Sequence, residues 1–313
     1  MTTVLVTGAN GFVGSQVVRQ LLASGVVVAA LVRPGSSLAR LEGLEKQLDI
    51  ARVDLADSDG IQTHLSTLKP DACIHLAWYA EPGKYLEAKE NLDSLRHSLG
   101  LVEALGGAGC RHMVGVGTCF EYQMGPTLLR EDSPTGPQTL YAAAKLAFSI
   151  VAAKRVAQLG IGMAWARLFY IYGPSEDERR LVPAATRALS AGREFPTTTG
   201  EQIRDYMHVE DVASGLCALS RNNLTGTFNV CSGEPVTVAS LVQTLGELVG
   251  RPDLIRLGAL PNREFDPMFV GGDNRRLRTE AQWAPKYQLR EGLAAAVQWW
   301  KNQATMSPPQ RRS

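Results

Sequence analysis

Val4-Leu5-Val6-Thr7-Gly8-Ala9-Asn10-Gly11-Phe12-Val13-Gly14 is a short apolar β run, then three glycines spaced G-x-x-G-x-x-G, then the start of an amphipathic helix. Val13, Val17, Val18, Leu21 and Leu22 share one helical face, and Gly25 supplies a stop. A strand that passes through a glycine turn into a helix offers an anion free backbone N–H groups and the positive end of the helix dipole. Glycines there let the backbone turn tightly and approach the pyrophosphate of a dinucleotide. Gly8, Asn10, Gly11, Phe12, Val13 and Gly14 are therefore the first candidates for cofactor binding.

The same rhythm continues outward from this turn. Val26 to Val32 is β-branched and apolar, as in a strand buried on both faces. Strand-like segments recur at 48–53, 72–77, 112–116 and 163–171, and helices are expected at Tyr85 to Leu105 and Leu140 to Leu159. Alternation of strand and helix implies right-handed crossovers and a Rossmann-type, doubly wound parallel α/β sheet. After Tyr172-Gly173-Pro174 the segments shorten, broken by Pro183, Pro196, Pro235, Pro252, Pro261 and Pro267. The expected organisation is a dinucleotide-binding domain over 1–172, with 206–231 returning to it. A smaller C-terminal α/β substrate lobe is expected from 173–205 and 232–305, with a loose tail over 306–313. Strands are expected over 205–209 and 227–230, with a helix from Glu210 to Arg221 between them.

Composition excludes several classes. The 313 residues carry 32 Lys and Arg against 31 Asp and Glu, a net charge of +1, with no long basic run, which argues against nucleic acid as a partner. An apolar fraction of 45% argues against disorder. No apolar run approaches the roughly 18 residues of a membrane helix. The opening residues have neither a basic n-region nor a signal-type apolar stretch. Cys73, Cys110, Cys119, Cys217 and Cys231 are widely spaced and form no Cys-x-x-Cys pair, so neither a disulfide framework nor a metal site is indicated. A soluble, cytoplasmic protein is expected.

The end of the second strand is where an acidic residue holds the adenosine ribose in many dinucleotide-binding folds. By strand phase that position is Val32, followed by Arg33. A guanidinium suits a 2′-phosphate, so Arg33 favours NADP over NAD. Asp54 and Leu55, after the third strand, fall where the adenine would be flanked. Further on, Tyr141-Ala142-Ala143-Ala144-Lys145 opens a helix behind Thr139, a natural cap. Residues i and i+4 share a face, so phenol and ammonium lie side by side. A free tyrosine titrates near about 10. A neighbouring cation is expected to lower that value and to make Tyr141 a usable acid or base.

The glycine turn, the Tyr141/Lys145 pair and their separation resemble the short-chain dehydrogenase/reductase superfamily, in its extended branch of nucleotide-sugar enzymes. Asp71 to Ala77 resembles the fourth strand of that branch, Arg167 to Pro174 its sixth strand and exit, and Arg204 to Val212 its C-terminal motif. The stretch from Trp283 to Trp300 resembles its closing helix. The likeness covers roughly residues 3 to 301. It implies that Tyr141 and Lys145 are catalytic and also touch the cofactor, as do Leu76 and Ala77. It implies a third catalytic residue, Thr118, four residues ahead of Tyr122, whose hydroxyl meets a substrate oxygen beside the phenol. It implies Arg204 on the diphosphate of the nucleotide sugar, with Arg263 as a second phosphate-binding residue. It implies a homodimer formed through the helices from Tyr85 to Leu105 and Leu140 to Leu159.

The departures from the family pattern narrow the chemistry. Members that are 4,6-dehydratases carry Asp-Glu directly after this threonine. Here Cys119 and Phe120 stand there, and Glu121, one place on, is expected to point elsewhere. Dehydration is disfavoured. The resemblance then leaves a 4-keto-6-deoxysugar reductase using NADP, favoured by Arg33, and a nucleotide-sugar C4-type epimerase keeping NAD. An inactive nucleotide-sensing protein is a distant third, since both Tyr141 and Lys145 are present. Reduction of a steroid-like or flavonoid-like ketone is opposed by Arg204. Tyr170 replaces the Asn usual in the sixth-strand motif. His75 reads as a satisfied core histidine, His208 as a structural brace, Cys119 as a thiol without a nucleophile's partner, and Trp299-Trp300 as packing of the last helix.

Overall fold

The computed structural model describes residues 2–261 and 266–306, with side chains described to residue 303. Its first part runs β1 (Thr3–Thr7), α1 (Phe12–Ala23), β2 (Val27–Val32), β3 (Leu48–Arg52), α2 (Ser58–Leu68), β4 (Ala72–His75), α3 (Glu90–Gly107), β5 (His112–Thr118), α4 (Leu140–Gln158) and β6 (Gly162–Leu168). It continues with β7 (Tyr170–Tyr172), α5 (Leu181–Ser190), β8 (Phe195–Pro196), β9 (Ile203–Arg204), β10 (Tyr206–His208), α6 (Val209–Arg221) and β11 (Gly226–Val230). The last elements are β12 (Val236–Thr237), α7 (Val238–Val249), β13 (Ile255–Arg256), β14 (Phe269–Val270), α8 (Arg275–Glu280) and α9 (Leu289–Met306).

Seven strands form one sheet in the order β11-β6-β5-β4-β1-β2-β3, and each adjacent pair is parallel. This is the doubly wound Rossmann arrangement. The chain order reverses between β1 and β4, and such a switch point opens a crevice at the carboxyl ends of the strands. One sheet face is covered by α1 and α6, with Val17, Val18, Leu21, Val212 and Leu216 in its core. The other is covered by α2, α3 and α4, with Ile61, Leu65, Leu101, Leu105 and Phe148. The parallel strands are apolar on both faces because both are covered. A separate cluster, including Tyr172, Val182, Leu241, Leu245, Leu293 and Val297, packs between α5, α7 and α9.

Several boundaries differ from the sequence expectation for local reasons. The helix expected from Tyr85 begins at Glu90, because the Asn91 side-chain amide donates to the carbonyls of Tyr85 (2.7 Å) and Ala88 (2.8 Å) and holds that stretch in a turn. The strand expected over 163–171 divides at Phe169. β6 stays in the main sheet, whereas β7 leaves it and pairs with β10. The strand expected over 205–209 shortens to Tyr206–His208. The Asp205 carboxylate is occupied by the backbone N–H groups of Ser232 and Gly233, and His208 caps α6 by accepting from the Glu210 N–H. Helices α2, α5, α7 and α8 stand where the sequence patterns point to none. Of the tail expected over 306–313, Met306 is the last residue of α9, and 307–313 lie outside the described residues.

Candidate active site

The turn between β1 and α1 has the form its glycines permit. Gly8 takes a left-handed φ of 65°, and a side chain there would also press on the Ala77 backbone N at 2.9 Å. A Cβ on Gly14 would collide with the Gly8 carbonyl, so the helix closes on the loop only without one. The Gly11 N–H donates to the Gly8 carbonyl at 2.9 Å. Gly11 is the N-cap of α1, and no side chain caps that helix end. The first N–H groups of α1, those of Phe12 and Val13, thus face the switch-point crevice, which fits a pyrophosphate. Asn10 ties the loop to the segment after β2 through a 2.8 Å bond to the Ser37 carbonyl.

Thr7 and His75 fix the floor of the crevice. The Thr7 hydroxyl meets His75 Nδ1 at 2.7 Å and accepts from the Leu76 and Ala77 N–H groups at 3.2 Å. His75 Nε2 meets the Ser98 hydroxyl at 2.8 Å. Burial, and then the charge of Lys145, depress the imidazole to about 3, so His75 is a neutral brace. Leu76 and Ala77 sit at the β4 exit, with their backbone directly against Gly8 of the glycine turn.

On the far side of the glycine turn, Arg33 is exposed just past β2, and its carbonyl anchors the turn made by Ser36. The β2/β3 register pairs Val32 with Arg52, which places a second exposed guanidinium at the same strand end. Arg52 also reaches the Ser36 carbonyl at 3.4 Å. Parallel register, which is not visible in the sequence, brings Arg52 here. Asp54 and Leu55 follow directly, half-buried, with Asp54 receiving the Ala56 N–H at 2.9 Å.

The third part of the site joins the β5 exit to α4. Thr139 caps α4 by accepting from the Ala142 N–H at 3.2 Å, and the Tyr141 N–H donates to the Leu86 carbonyl at 2.9 Å. Thr118 acts on the Tyr141 phenol to lower its pKa, and the Tyr85 ring meets the Tyr141 ring edge-on at 4.8 Å. Lys145 is buried. Its ammonium donates to the Val116 carbonyl at 2.7 Å and lies 3.9 Å from the centre of the Trp78 ring. Burial lowers its pKa to about 7, against the opposing pull of the Glu121 charge.

The sequence argument expects Lys145 to lower the Tyr141 pKa. Here the opposite holds. Tyr141 is half-buried with its phenol end inside the crevice, and that burial pushes it well above the ordinary value, helped by Tyr85, Glu121 and Cys119. Thr118 works the other way, with a smaller effect. The free chain therefore holds Tyr141 as a neutral phenol.

Glu121 points away from the crevice, into the core. Its carboxylate accepts from the Thr118 N–H at 2.8 Å, from Trp165 Nε1 at 3.0 Å and from Arg167 Nε at 2.8 Å. Thr118 and Glu121 form a capping box that fixes the threonine at the β5 exit. Cys119 is buried, and its thiol is pushed up to about 12, chiefly by burial. Neither Cys119 nor Phe120 is a working acid near neutrality.

Comparison with known proteins settles the family. A model of the "NAD dependent epimerase/dehydratase family" matches residues 4–231, which span the glycine turn, Tyr141 and β11. The chain belongs to that family. A UDP-glucose 4-epimerase of Mycolicibacterium smegmatis is 29% identical over 96% of this chain and 99% of its own. A dTDP-4-dehydro-6-deoxy-D-allose reductase of a Streptomyces species is 28% identical over 96% of each. A crystal structure of the UDP-glucose 4-epimerase of Thermotoga maritima with UDP-glucose superposes with a TM-score of 0.87 at 23% identity, covering 97% of this chain and 100% of that one. The last of these shows the fold alone.

In this epimerase/dehydratase family member, Arg204 is nearly fully buried. Its guanidinium pairs with Asp266 at 2.5 Å, donates to the Ile203 carbonyl and lies 5.4 Å from the Tyr170 ring centre. Asp266 stands 62 positions from Arg204, so nothing local in the chain points to the pair. Arg263 lies outside the described residues. His208 caps α6 and stacks on Tyr287 at 4.1 Å, and Trp299 packs edge-on against Trp300 at 4.8 Å. Among the described residues no helix is long and apolar enough to cross a membrane.

Proposed function

We propose that this enzyme reduces the keto group of a nucleotide-activated 4-keto-6-deoxysugar with NADPH. The arrangement that supports it is Thr118, fixed at the β5 exit by its capping box, together with Tyr141, whose phenol burial keeps protonated, and Lys145 one helical turn on. A reduced pyridine nucleotide, its pyrophosphate held at the glycine turn by Gly8, Gly11 and the α1 N–H groups, would supply the hydride. Tyr141 gives its proton to the ketone oxygen as negative charge develops there, and the Thr118 hydroxyl supplies a second hydrogen bond. Ketone, hydride and proton together make the alcohol. Lys145 places its ammonium behind Tyr141, within reach of the nicotinamide ribose. It carries positive charge below about pH 7, and there it stabilises the phenolate that proton transfer leaves on Tyr141. Arg204 would turn toward the diphosphate of the sugar nucleotide. Cys119 and Phe120 supply no proton relay for dehydration.

The pyridine nucleotide belongs to the Arg33 side of the crevice. With no acid at the end of β2 and Arg33 and Arg52 both exposed there, a 2′-phosphate meets two guanidinium groups. Arg33→Ala together with Arg52→Ala should weaken NADPH binding by about 10-fold or more, as expected for lost charge-assisted bonds, and leave NADH within about 2-fold. Fluorescence titration of both nucleotides checks this, and an equal loss for the two would remove the assigned role. The direct assay is NADPH consumption with dTDP-4-keto-6-deoxyglucose. No consumption with this or the corresponding UDP sugar would exclude the reductase.

C4-type epimerisation with retained NAD is the second reading. It is supported by the 29% identity to the mycobacterial UDP-glucose 4-epimerase along its whole length. The same proposal includes a homodimer through α3 and α4. These helices pack against each other and expose Leu92 (55%), Ile150 (57%) and Val151 (48%). Ile150→Arg should convert a dimer to a monomer in sedimentation velocity. A monomeric wild type would contradict the dimer.

A further inference from the structure

Trp78 follows Leu76 and Ala77 at the β4 exit, and its indole is fixed in place. The Nε1–H donates to Asn91 Oδ1 at 2.9 Å. Asn91 is fully buried, and its Nδ2 donates to the Tyr85 and Ala88 carbonyls at 2.7 and 2.8 Å. An amide whose nitrogen is spent on two carbonyls has only its oxygen left to offer, so the acceptor that holds the indole cannot turn away. The Trp78 ring also lies 6.2 Å from that of Phe148, a buried residue of α4.

The face of this fixed ring meets the Lys145 ammonium, 3.9 Å from the ring centre. That is well inside the roughly 6 Å over which the quadrupole of an aromatic ring attracts a cation, and tryptophan has the strongest face. The same ammonium donates to the Val116 carbonyl at 2.7 Å. It has three N–H donors, so at least one is left for a ligand. The ionisable groups around it leave it few other partners. β4 brings His75, a neutral brace, and α4 brings Tyr141, a neutral phenol. The turn after β5 brings Glu121, whose carboxylate is taken by the Thr118 N–H, Trp165 Nε1 and Arg167 Nε. A buried cation is thus held by one carbonyl and one ring. With burial setting Lys145 at about 7, the ring contact bears directly on whether it is charged near neutrality.

We propose that Trp78 is a positioning residue for the reaction, its indole face holding the Lys145 ammonium against the Val116 carbonyl as a cation on the helix face shared with Tyr141. This rests on the part given to Lys145 in the reductase reading above.

The test reads Lys145 directly. Protein labelled with ¹³C at the lysine Cε atoms, without nucleotide, is titrated from about pH 5 to 9, and the Lys145 signal is identified by its loss in Lys145→Met. In Trp78→Leu the Lys145 midpoint should fall by about one pH unit, the size of a desolvated cation–ring contact. Trp78→Phe keeps a ring with a weaker face, and its midpoint should lie between those of Trp78→Leu and wild type. A Trp78→Leu midpoint equal to or above that of wild type would overturn the proposal, because the ring would then only exclude water. Should the leucine variant not fold, the phenylalanine variant decides by the same criterion. Turnover gives the second readout. With NADPH and dTDP-4-keto-6-deoxyglucose, kcat should decline on the alkaline side as Lys145 loses its charge, and in Trp78→Leu the decline should begin about one pH unit lower, with kcat on the acid side within about 2-fold. A midpoint that moves while the kcat decline stays in place would also overturn the positioning role. A wild type that consumes no NADPH would instead sink the reductase reading, and the lysine titration would still decide whether Trp78 holds the ammonium.

Discussion

Tyr141→Phe should lower turnover by about 10²- to 10⁴-fold while leaving NADPH affinity within a few-fold, as expected for loss of a positioned general acid. The substitution removes one oxygen from the crevice and keeps the ring that packs on Tyr85. Thr118 remains as a hydrogen-bond donor, so some polarisation of the ketone survives, but no group is left to deliver the proton. Thr118 is fixed by its capping box, and Lys145 is held by the Val116 carbonyl and the Trp78 ring. Neither can reach the phenol's place without moving. Both kcat and kcat/KM should fall together, because the lost interaction forms only as charge develops on the ketone oxygen. Near-normal turnover would remove Tyr141 from the chemistry.

Glu121→Ala should cost about 3–5 kcal/mol of stability, the range for breaking a buried ion pair from one side. Glu121 is fully buried and Arg167 nearly so, with 2.8 Å between their charged atoms. Removing the carboxylate leaves a buried guanidinium without its counter-charge. It also leaves the Thr118 N–H and Trp165 Nε1 without an acceptor. The Tyr122 ring, 4.2 Å from the guanidinium, offsets only part of this. Urea unfolding should show a lower midpoint with the slope unchanged. Glu121→Gln keeps acceptor capacity and should lose less. A cost below about 1 kcal/mol for the alanine variant would mean that the pair does not hold the β5 exit in place. The variant should also lose turnover beyond its loss of folded protein, because the capping box that positions Thr118 is gone.

The parts of the fold legible in the sequence are those with dense local signals. The glycine turn sits between an apolar strand and a one-sided helix, and both periodicities are unmistakable. Tyr141 and Lys145 are four apart on a capped helix, so their shared face follows from helix geometry. Helix α2 escaped notice because its buried residues, Ile61 and Leu65, make a narrow stripe among polar neighbours. Helix α5 escaped because Pro183 looks like a breaker, although in the first turn of a helix proline costs no backbone bond.

The illegible parts depend on chain-distant contacts. Arg52 joins Arg33 through strand register, and Asp266 meets Arg204 across 62 positions. Glu176 sits in Ser175-Glu176-Asp177-Glu178-Arg179-Arg180, which reads as a solvated charge run until the fold buries one member of it. The direction of the Tyr141 shift is illegible for a related reason. The cation four residues away is local, whereas the burial that outweighs it comes from Tyr85, β5 and the crevice.

The most direct test of exchangeable NADPH and an acid at Tyr141 is to ask what nucleotide the purified protein carries. The protein is denatured, any released nucleotide is identified by absorbance and mass, and untreated protein is titrated with NADPH and NADH. The account predicts a site without stoichiometric nucleotide that takes NADPH well ahead of NADH. Stoichiometric NAD that survives purification would contradict it and make the epimerase the better description of this enzyme.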